Sequence, residues 1–383
     1  MIDKIDFEKC TGCGICAEVC PLDTLRIDPF QKEVPPCRAA CPAMADIRGY
    51  AYFLKNRMPW KARALIGEFL PYPAITGRLC HHPCEGNCAR REVDEAVNIH
   101  GLERFLGDGM LEEGPERHIR TRAGKVAVAG SGPAGLATAF FLARMGYGVT
   151  VFEKEERVGG MLRDEVRKGR LPLDILEKQI QYIEGMGVEY KTKITVGRDM
   201  AISDFKDDLY KALILTTGRA SRVPRGIAAD EKGGISVDPV TLETNIRGVF
   251  ACGGAVKGPM PIVKAVASAR ETVTSLEAFL QGRTRSSHRS SGPEPVRRLP
   301  GTGIPVMGRQ EIDPFASYSG DQAREEARRC MTCGGKVTIA HPEDCMTCFG
   351  CDLSCPCGAI TVHPFKEVIP RPIEYAEGGD EHA

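Results

Sequence analysis

The chain has 383 residues, 42% of them hydrophobic and 27% charged, and 51 basic residues balance 51 acidic ones. That is a globular composition with room for two or three domains, and a net charge of zero argues against a nucleic-acid or anionic-membrane surface. No run approaches the roughly 18 uncharged apolar residues of a spanning helix. The acidic start Met1-Ile2-Asp3-Lys4 does not have the basic-then-apolar order of a secretion signal, so a cytoplasmic protein without a membrane span is expected.

Seventeen cysteines are the outlying count. An odd number without a secretion signal argues for reduced, metal-bound thiols rather than a disulfide scaffold. They cluster at 10–20, 37–41, 80–88 and 330–357, with Cys252 alone. In chain order, a cysteine-rich segment (1–34) is followed by a helical region (35–120). That region has helical patterns at Tyr50–Lys55 and Trp60–Phe69, broken by Pro71, Pro73 and Pro83. An α/β segment (121–282) then opens with a strand over Lys125–Ala129, a helix over Leu136–Met145 and a strand over Val149–Phe152. Residues 283–319, rich in Arg, Ser, Pro and Gly without an apolar period, read as an extended linker. A Cys-x2-Cys segment (320–337) and a second cysteine-rich segment (338–383) follow.

One internal repeat stands out. Cys10-x2-Cys13-x2-Cys16-x3-Cys20-Pro21 recurs as Cys345-x2-Cys348-x2-Cys351-x3-Cys355-Pro356, every position displaced by the same interval, 345 − 10 = 335 residues. Three closely spaced thiolates can cap three irons of one cubane, while the fourth, before proline, points to a second cluster. Each copy resembles one half of a bacterial two-cluster ferredoxin. The expectation is that the two copies meet and exchange ligands. One [4Fe-4S] cluster would take Cys10, Cys13, Cys16 and Cys355, and the other Cys345, Cys348, Cys351 and Cys20. Zinc, free thiols, or pairing of each half with another chain are the competing readings. Cys357 has no place in the motif and reads as a spare thiol.

Between the copies stand Cys37-x3-Cys41-Pro42 and Cys80-x3-Cys84-x3-Cys88, with the phrases Thr76-Gly77-Arg78-Leu79-Cys80, Pro83-Cys84-Glu85-Gly86-Asn87-Cys88 and Ile99-His100-Gly101-Leu102-Glu103. Here the chain resembles the glutamate synthase small subunit and the N-terminal domain of dihydropyrimidine dehydrogenase, whose helical domain holds two [4Fe-4S] clusters. The family's Cys-x2-Cys phrase just upstream of the Cys37 equivalent is absent. It stands instead at Glu326-Ala327-Arg328-Arg329-Cys330-Met331-Thr332-Cys333. The resemblance then implies one cluster on Cys330, Cys333, Cys37 and Cys88. It implies a second on Cys41, Cys80, Cys84 and a side-chain oxygen at the position of Glu103. A local ferredoxin role for Cys330 and Cys333 is the alternative, which Lys336, standing where a further cysteine would be, disfavours. His81 and His82 read as solvated loop residues rather than ligands.

Gly130-Ser131-Gly132-Pro133-Ala134-Gly135 lies between the first α/β strand and its helix, the arrangement that brings backbone amides and a helix N-terminus to a pyrophosphate. Glu153, at 153 − 135 = 18 residues past Gly135, closes the next strand where an acid can meet a ribose hydroxyl. Gly159-Gly160-Met161-Leu162, Leu215-Thr216-Thr217-Gly218 and Gly248-Val249-Phe250-Ala251-Cys252-Gly253-Gly254 resemble the flavin-binding members of the same family. The implied FAD contacts are Gly130, Gly132, Pro133, Ala134, Gly135, Glu153, Lys154, Gly160, Met161, Leu162, Thr217, Gly218, Gly253 and Gly254. Gly254 replaces an Asp of relatives, which removes one polar contact. Cys252 has no CxxC partner and reads as a small buried residue.

The fold class expected is therefore α/β: a Rossmann-type FAD domain, a small α-helical iron–sulfur domain, and a ferredoxin-like α+β module built from both termini. NADPH-using relatives insert a second dinucleotide domain on the order of 100 residues between the two flavin segments. Here only Arg219–Gly234 occupies that place, and no second GxGxxG occurs. No Ser/His/Asp set, zinc signature or P-loop appears. Two function classes follow. One is an electron-transfer subunit of an anaerobic oxidoreductase complex, carrying FAD and up to four [4Fe-4S] clusters and serving catalytic and other electron-transfer subunits, with soluble ferredoxin a further partner. The other is a self-contained FAD/iron–sulfur oxidoreductase, dependent on NAD(P)H or ferredoxin, that acts on a small molecule. No catalytic residue is identifiable in either case.

Overall fold

The structure, a computed structural model, describes residues 2–6, 9–10, 16, 19–22, 24–26, 33–115, 121–122, 124–205, 209–218, 223–283, 294–295, 304–313, 315–331, 333, 338–339, 345–355 and 358–363. It divides into two units, one made of residues 1–31 with 335–383 and one of residues 32–334. Cys13 and Cys357 lie outside the described residues.

In the first unit, β1 (Ile2–Ile5) pairs antiparallel with β11 (Ile360–Val362), and β2 (Leu25–Arg26) with β10 (Thr338–Ile339). Each ladder therefore joins one end of the sequence to the other. Ile5, Leu25, Ile360 and Val362 form a small apolar core with Cys10, Cys16 and Cys351 buried in it, and Cys355 packs against it.

In the second unit β3 (Glu33–Val34) pairs parallel with β9 (Glu294–Pro295), and the centre is a five-stranded parallel sheet of β4 (Lys125–Ala129), β5 (Gly148–Phe152), β6 (Val188–Lys191), β7 (Tyr210–Leu215) and β8 (Val249–Ala251), in the order β6-β5-β4-β7-β8. This is the doubly wound order of dinucleotide-binding folds. Strands covered on both faces read as near-continuous apolar runs, and β5 is buried at every position. The Pro133–Arg144 helix packs on β4 and β5 and against the long Ile262–Leu280 helix. On the face carrying Ala127, Ala129, Phe152, Leu213 and Leu215, irregular segments supply Val196, Ile202, Ile227 and Ile235. Ile227 belongs to the short Arg219–Gly234 stretch, whose described part is thus folded onto the sheet.

The helical region contains Ile47–Lys55, capped by Asp46 (Gly49 N to Oδ1, 3.2 Å), and Ile99–Glu113, capped by Asn98 (Gly101 N to Oδ1, 3.0 Å). Two prolines expected to break helices begin them instead. Pro73 opens Pro73–Leu79 and Pro83 opens Pro83–Gly86, the position at which a missing N–H and a fixed φ are no burden. Pro73–Leu79 lies tightly against Ile99–Glu113, because a Cβ on Gly107 would fall 1.9 Å from Ala74 N. This packing carries Cys80 and Cys84 to the first turns of the helix that bears Glu103.

The stretch read as a linker is extended but not free. Over its described second half Pro305 O accepts from Arg90, Met307 O from Arg329, Gln310 O from Asn98 and Tyr318, and Asp313 O from Arg104. It is a strap that leads into the Gly320–Arg328 helix, which starts in a Ser319/Gln322 capping box.

Candidate metal centres and nucleotide cradle

Two groups of acidic and sulfur side chains converge in the helical region. Burial pushes the Cys37 thiol well above its ordinary range, and repulsion from neighbouring Cys330, Cys88 and Cys333 adds to it. Cys333 is pushed up to about 12, again by burial and by Cys330 and Cys88. The Gly320–Arg328 helix delivers this pair, with Arg48 Nη1 donating to Cys333 O at 3.1 Å. The second group is Cys41, Cys80, Cys84 and Glu103. Burial raises all three thiols, Cys80 to about 12, and each is raised further by the Glu103 carboxylate, which is itself 4% exposed.

A buried set of sulfurs that repel one another as anions is unfavourable unless a cation is shared among them, and this donor set suits iron rather than a hard oxygen-preferring ion. The residues fit iron–sulfur binding on that ground.

In the first unit, one cavity is lined by Cys20, Cys345, Cys348 and Cys351, with Thr347 and Val362. Burial and the proximity of Cys20 and Cys345 raise the Cys351 thiol. Burial works upward on Cys20 too, but hydrogen bonds from Thr24 and from the backbone at Leu22, Thr24 and Leu25 outweigh it and leave the thiol below its ordinary range. A sulfur from one end of the sequence thus stands among three from the other. Cys10 and Cys16 share the core that Cys355 adjoins.

In the α/β fold, Gly130–Gly135 spans the turn from β4 into its helix. A Cβ on Gly135 would lie 1.9 Å from Gly130 O, so only glycine lets the helix close on the turn. A Cβ on Gly132 would meet nothing within 4 Å, so open space adjoins the N-terminal end of the Pro133–Arg144 helix, a place suited to an anionic pyrophosphate. Pro133 and Ala134 form its first turn, sealed from behind by Tyr72, whose hydroxyl donates to Pro133 O at 2.9 Å.

Glu153, just past β5, is 5% exposed. Its Oε2 accepts from Ser131 N at 2.9 Å and its Oε1 from Glu155 N at 3.0 Å, so the acid braces the glycine turn. Lys154 pairs with Glu155 at 3.8 Å. Gly160 and exposed Met161 precede buried Leu162, which begins the Leu162–Arg167 helix. Thr217 and Gly218 follow β7, and Gly253 and Gly254 follow β8. Cys252 is buried beside Thr138 and Thr272, and burial pushes its thiol up to about 11.

His82 corrects the reading of both loop histidines as solvated. His81 is exposed, but the His82 side chain is only 10% exposed, with Nε2 3.7 Å from Glu103 Oε2. Glu85, His100 and Arg309 also surround this group and carry no motif that singled them out. His100 Nδ1 lies 2.7 Å from Glu85 Oε1, and Arg309 donates to Glu85 Oε2 at 3.0 Å.

Three stretches of the chain are similar to known families. Residues 29–115 match the family described as dihydropyrimidine dehydrogenase domain II, 4Fe-4S cluster; residues 124–269 match pyridine nucleotide-disulphide oxidoreductase; residues 3–26 match the 4Fe-4S binding domain. The NADP(+)-dependent formate dehydrogenase subunit beta of Moorella thermoacetica is 35% identical over 241 residues, 57% of this chain and 34% of that protein. The NADPH-Fe(3+) oxidoreductase subunit beta of Geobacter sulfurreducens is 34% identical over 209 residues, 53% of this chain and 31% of that protein. The glutamate synthase [NADPH] small chain of Bacillus subtilis is 36% identical over 178 residues, 45% of this chain and 36% of that protein. The chain spans about a third of the length of these curated relatives. Stretches similar to iron–sulfur-binding and pyridine nucleotide-disulphide oxidoreductase families follow one another along it.

Proposed function

We propose, for a chain related through its helical and α/β segments to the glutamate synthase small chain, the role of an electron-transfer subunit in an oxidoreductase complex. The carrying observation is the convergence, inside one chain, of Cys37 with Cys88, Cys330 and Cys333 and of Cys41, Cys80 and Cys84 with Glu103, beside a nucleotide cradle of the flavin type. In this reading there are four [4Fe-4S] sites. Two are held by those sets, one by Cys345, Cys348, Cys351 and Cys20, and one by Cys10, Cys13, Cys16 and Cys355. FAD is held by Gly130, Gly132, Gly135 and Glu153, with Gly160, Met161, Thr217, Gly218, Gly253 and Gly254 around the rest of it.

When bound, the clusters supply one-electron and the flavin two-electron redox capacity. The protein's own part is to gather the sulfurs in apolar surroundings, keep water from them and fix the cradle through Glu153 and Tyr72. Among the described residues no helix is long and apolar enough to cross a membrane.

The short return from β7 to β8, folded onto the sheet through Ile227 and Ile235, supports a flavin face that serves another subunit rather than a nicotinamide domain of this chain. The subunits named for two relatives, a formate dehydrogenase and an NADPH-Fe(3+) oxidoreductase, suggest the kind of catalytic partner. The test is the stoichiometry of iron, sulfide and flavin in the native assembly, together with dye reduction by the isolated chain. About sixteen irons and one flavin per chain, with no NADH- or NADPH-driven turnover alone, are expected for four cubanes. Sustained turnover by the isolated chain would favour a self-contained oxidoreductase.

A further inference from the structure

His82 follows Cys80 by two residues and has a left-handed backbone, φ +46°, a conformation that residues other than glycine keep only where their surroundings hold them. Its own N–H lies 3.4 Å from Cys80 Sγ. Its ring packs against that of His100, with centroids 5.1 Å apart and the planes tilted by 45°. His100 is tied through Nδ1 to Glu85, and Glu85 to Arg309. The ring is thus held from behind by a chain of charged contacts. At its front, Nε2 is buried without a hydrogen bond and stands 3.7 Å from Glu103 Oε2, just outside bonding distance. A buried ring nitrogen left in this state is unfavourable unless a group comes to meet it.

His82, Glu85 and His100 are close enough to suggest a mononuclear metal site of their own. The contacts of Glu85 argue otherwise. Oε1 already accepts from His100 N at 2.8 Å, and Oε2 is engaged by the Arg309 guanidinium, whose charge would repel a cation. The group is a brace, and what it braces is the nitrogen facing Glu103.

We infer that His82 is a positioning residue for Glu103. Its Nε2, 3.7 Å from Glu103 Oε2, is placed to donate to that oxygen, which would leave Oε1 for the metal that Cys41, Cys80 and Cys84 would hold. This rests on the reading of that set as a cluster site. The physical need is specific to a carboxylate ligand, because the terminal torsion of Glu is broad and two-fold and either oxygen can turn inward unless a second group selects one. A hydrogen bond to the ligand also draws electron density from it. That favours the reduced cluster, so losing the bond lowers the potential.

The experiment uses the full chain with its clusters reconstituted anaerobically, as wild type, Cys84→Ala, His82→Leu and His82→Gln. Iron, sulfide and an EPR-monitored redox titration are read for each. Loss of one cluster's iron and signal in Cys84→Ala establishes the site; no loss means the cluster reading itself fails, whatever His82 does. With the site established, His82→Leu should keep its iron and sulfide while one midpoint falls. The expected size is roughly tenfold in the reduced-to-oxidised ratio at fixed potential, about 59 mV for one electron. His82→Gln, whose amide can donate from a similar reach under the same backbone strain, should return that midpoint toward wild type. If His82→Leu instead loses the cluster, His82→Gln must keep it. An unchanged midpoint and line shape in His82→Leu, an equal shift in both variants, or loss of the cluster from both overturns the inference.

Discussion

Arg329 Nη1 lies 2.8 Å from Glu326 Oε1, and both side chains are wholly excluded from solvent. Arg329 immediately precedes Cys330, and the pair is the hub of a buried polar network. Arg329 also donates to Asp94 Oδ1 at 2.8 Å, Glu95 O at 2.7 Å and Ala96 O at 3.1 Å. Glu326 accepts from Asn98 N and Gln310 N at 2.6 and 2.7 Å. Three separate stretches of sequence are thereby fastened together: the helical region, the strap, and the segment that carries Cys330 and Cys333.

Arg329→Met should be severely destabilising, because it strands the Glu326 carboxylate in an apolar interior. A loss of about 3–5 kcal/mol is expected for breaking a buried pair from one side. Urea denaturation followed by circular dichroism measures it. Removing both charges together, as Arg329→Met with Glu326→Gln, should cost less than Arg329→Met alone.

Asp94 gives the network a pH dependence. Its hydrogen bond to Arg90 holds the carboxyl well below the usual carboxylate range against the opposing effect of burial, with help from Met307 N, Glu95 N and Arg329. A folded-state value below the unfolded one, about 3.9, stabilises the fold above that unfolded value. The contribution is lost as pH falls toward the folded value. Asp94→Asn should therefore flatten the stability profile below about pH 4 by up to one proton, while leaving its slope near neutrality unchanged. Parallel urea titrations between acid and neutral pH read this directly, and equal acid slopes for both proteins would contradict it.

Cys20→Ala tests the sharing of ligands in the first unit. Cys20 lines the cavity with Cys345, Cys348 and Cys351, so its loss should lower iron by about one cubane, four atoms, and alter the EPR signal of the C-terminal loop. The companion variant Cys345→Ala should perturb that same signal. Loss of two different signals in the two variants would mean that each loop keeps its own cluster.

Gly135→Ala should release flavin. The added Cβ would fall 1.9 Å from Gly130 O, so helix and turn must separate. About 1–3 kcal/mol of overpacking is expected, with a cofactor that dissociates on gel filtration. Gly132→Ala meets open space and should fold normally while binding flavin less tightly. That contrast separates packing from cofactor contact.

The parts legible in sequence were those written in side-chain types. The β4-glycine-turn-helix unit is visible because β-branched and small residues must line a parallel strand and glycines must let the helix close. The strap was not legible because its bonds run from Arg90, Arg104 and Arg329 to the carbonyls of Pro305, Asp313 and Met307. A backbone carbonyl is the same whatever residue bears it, so residues 304–313 read as featureless polar chain. Prolines misled at Pro73 and Pro83 because the same fixed φ that ends a helix from within begins one at its first residue. His82 was hidden for a different reason. Its importance lies in a left-handed backbone and in a nitrogen aimed at a residue 103 − 82 = 21 positions away, neither of which spacing encodes.

The antiparallel pairing of Ile5 with Ile360 has a consequence in time. The partners are separated by 360 − 5 = 355 residues, and at about 5–20 residues per second a ribosome needs roughly 18 to 71 seconds to travel between them. Throughout that interval the first strand emerges with a bare edge, a template to which any other nascent chain could add. Asp3 and Lys4, both exposed on that strand, place opposite charges along it and make such pairing less favourable. A segment synthesised early is thus among the last to find its place.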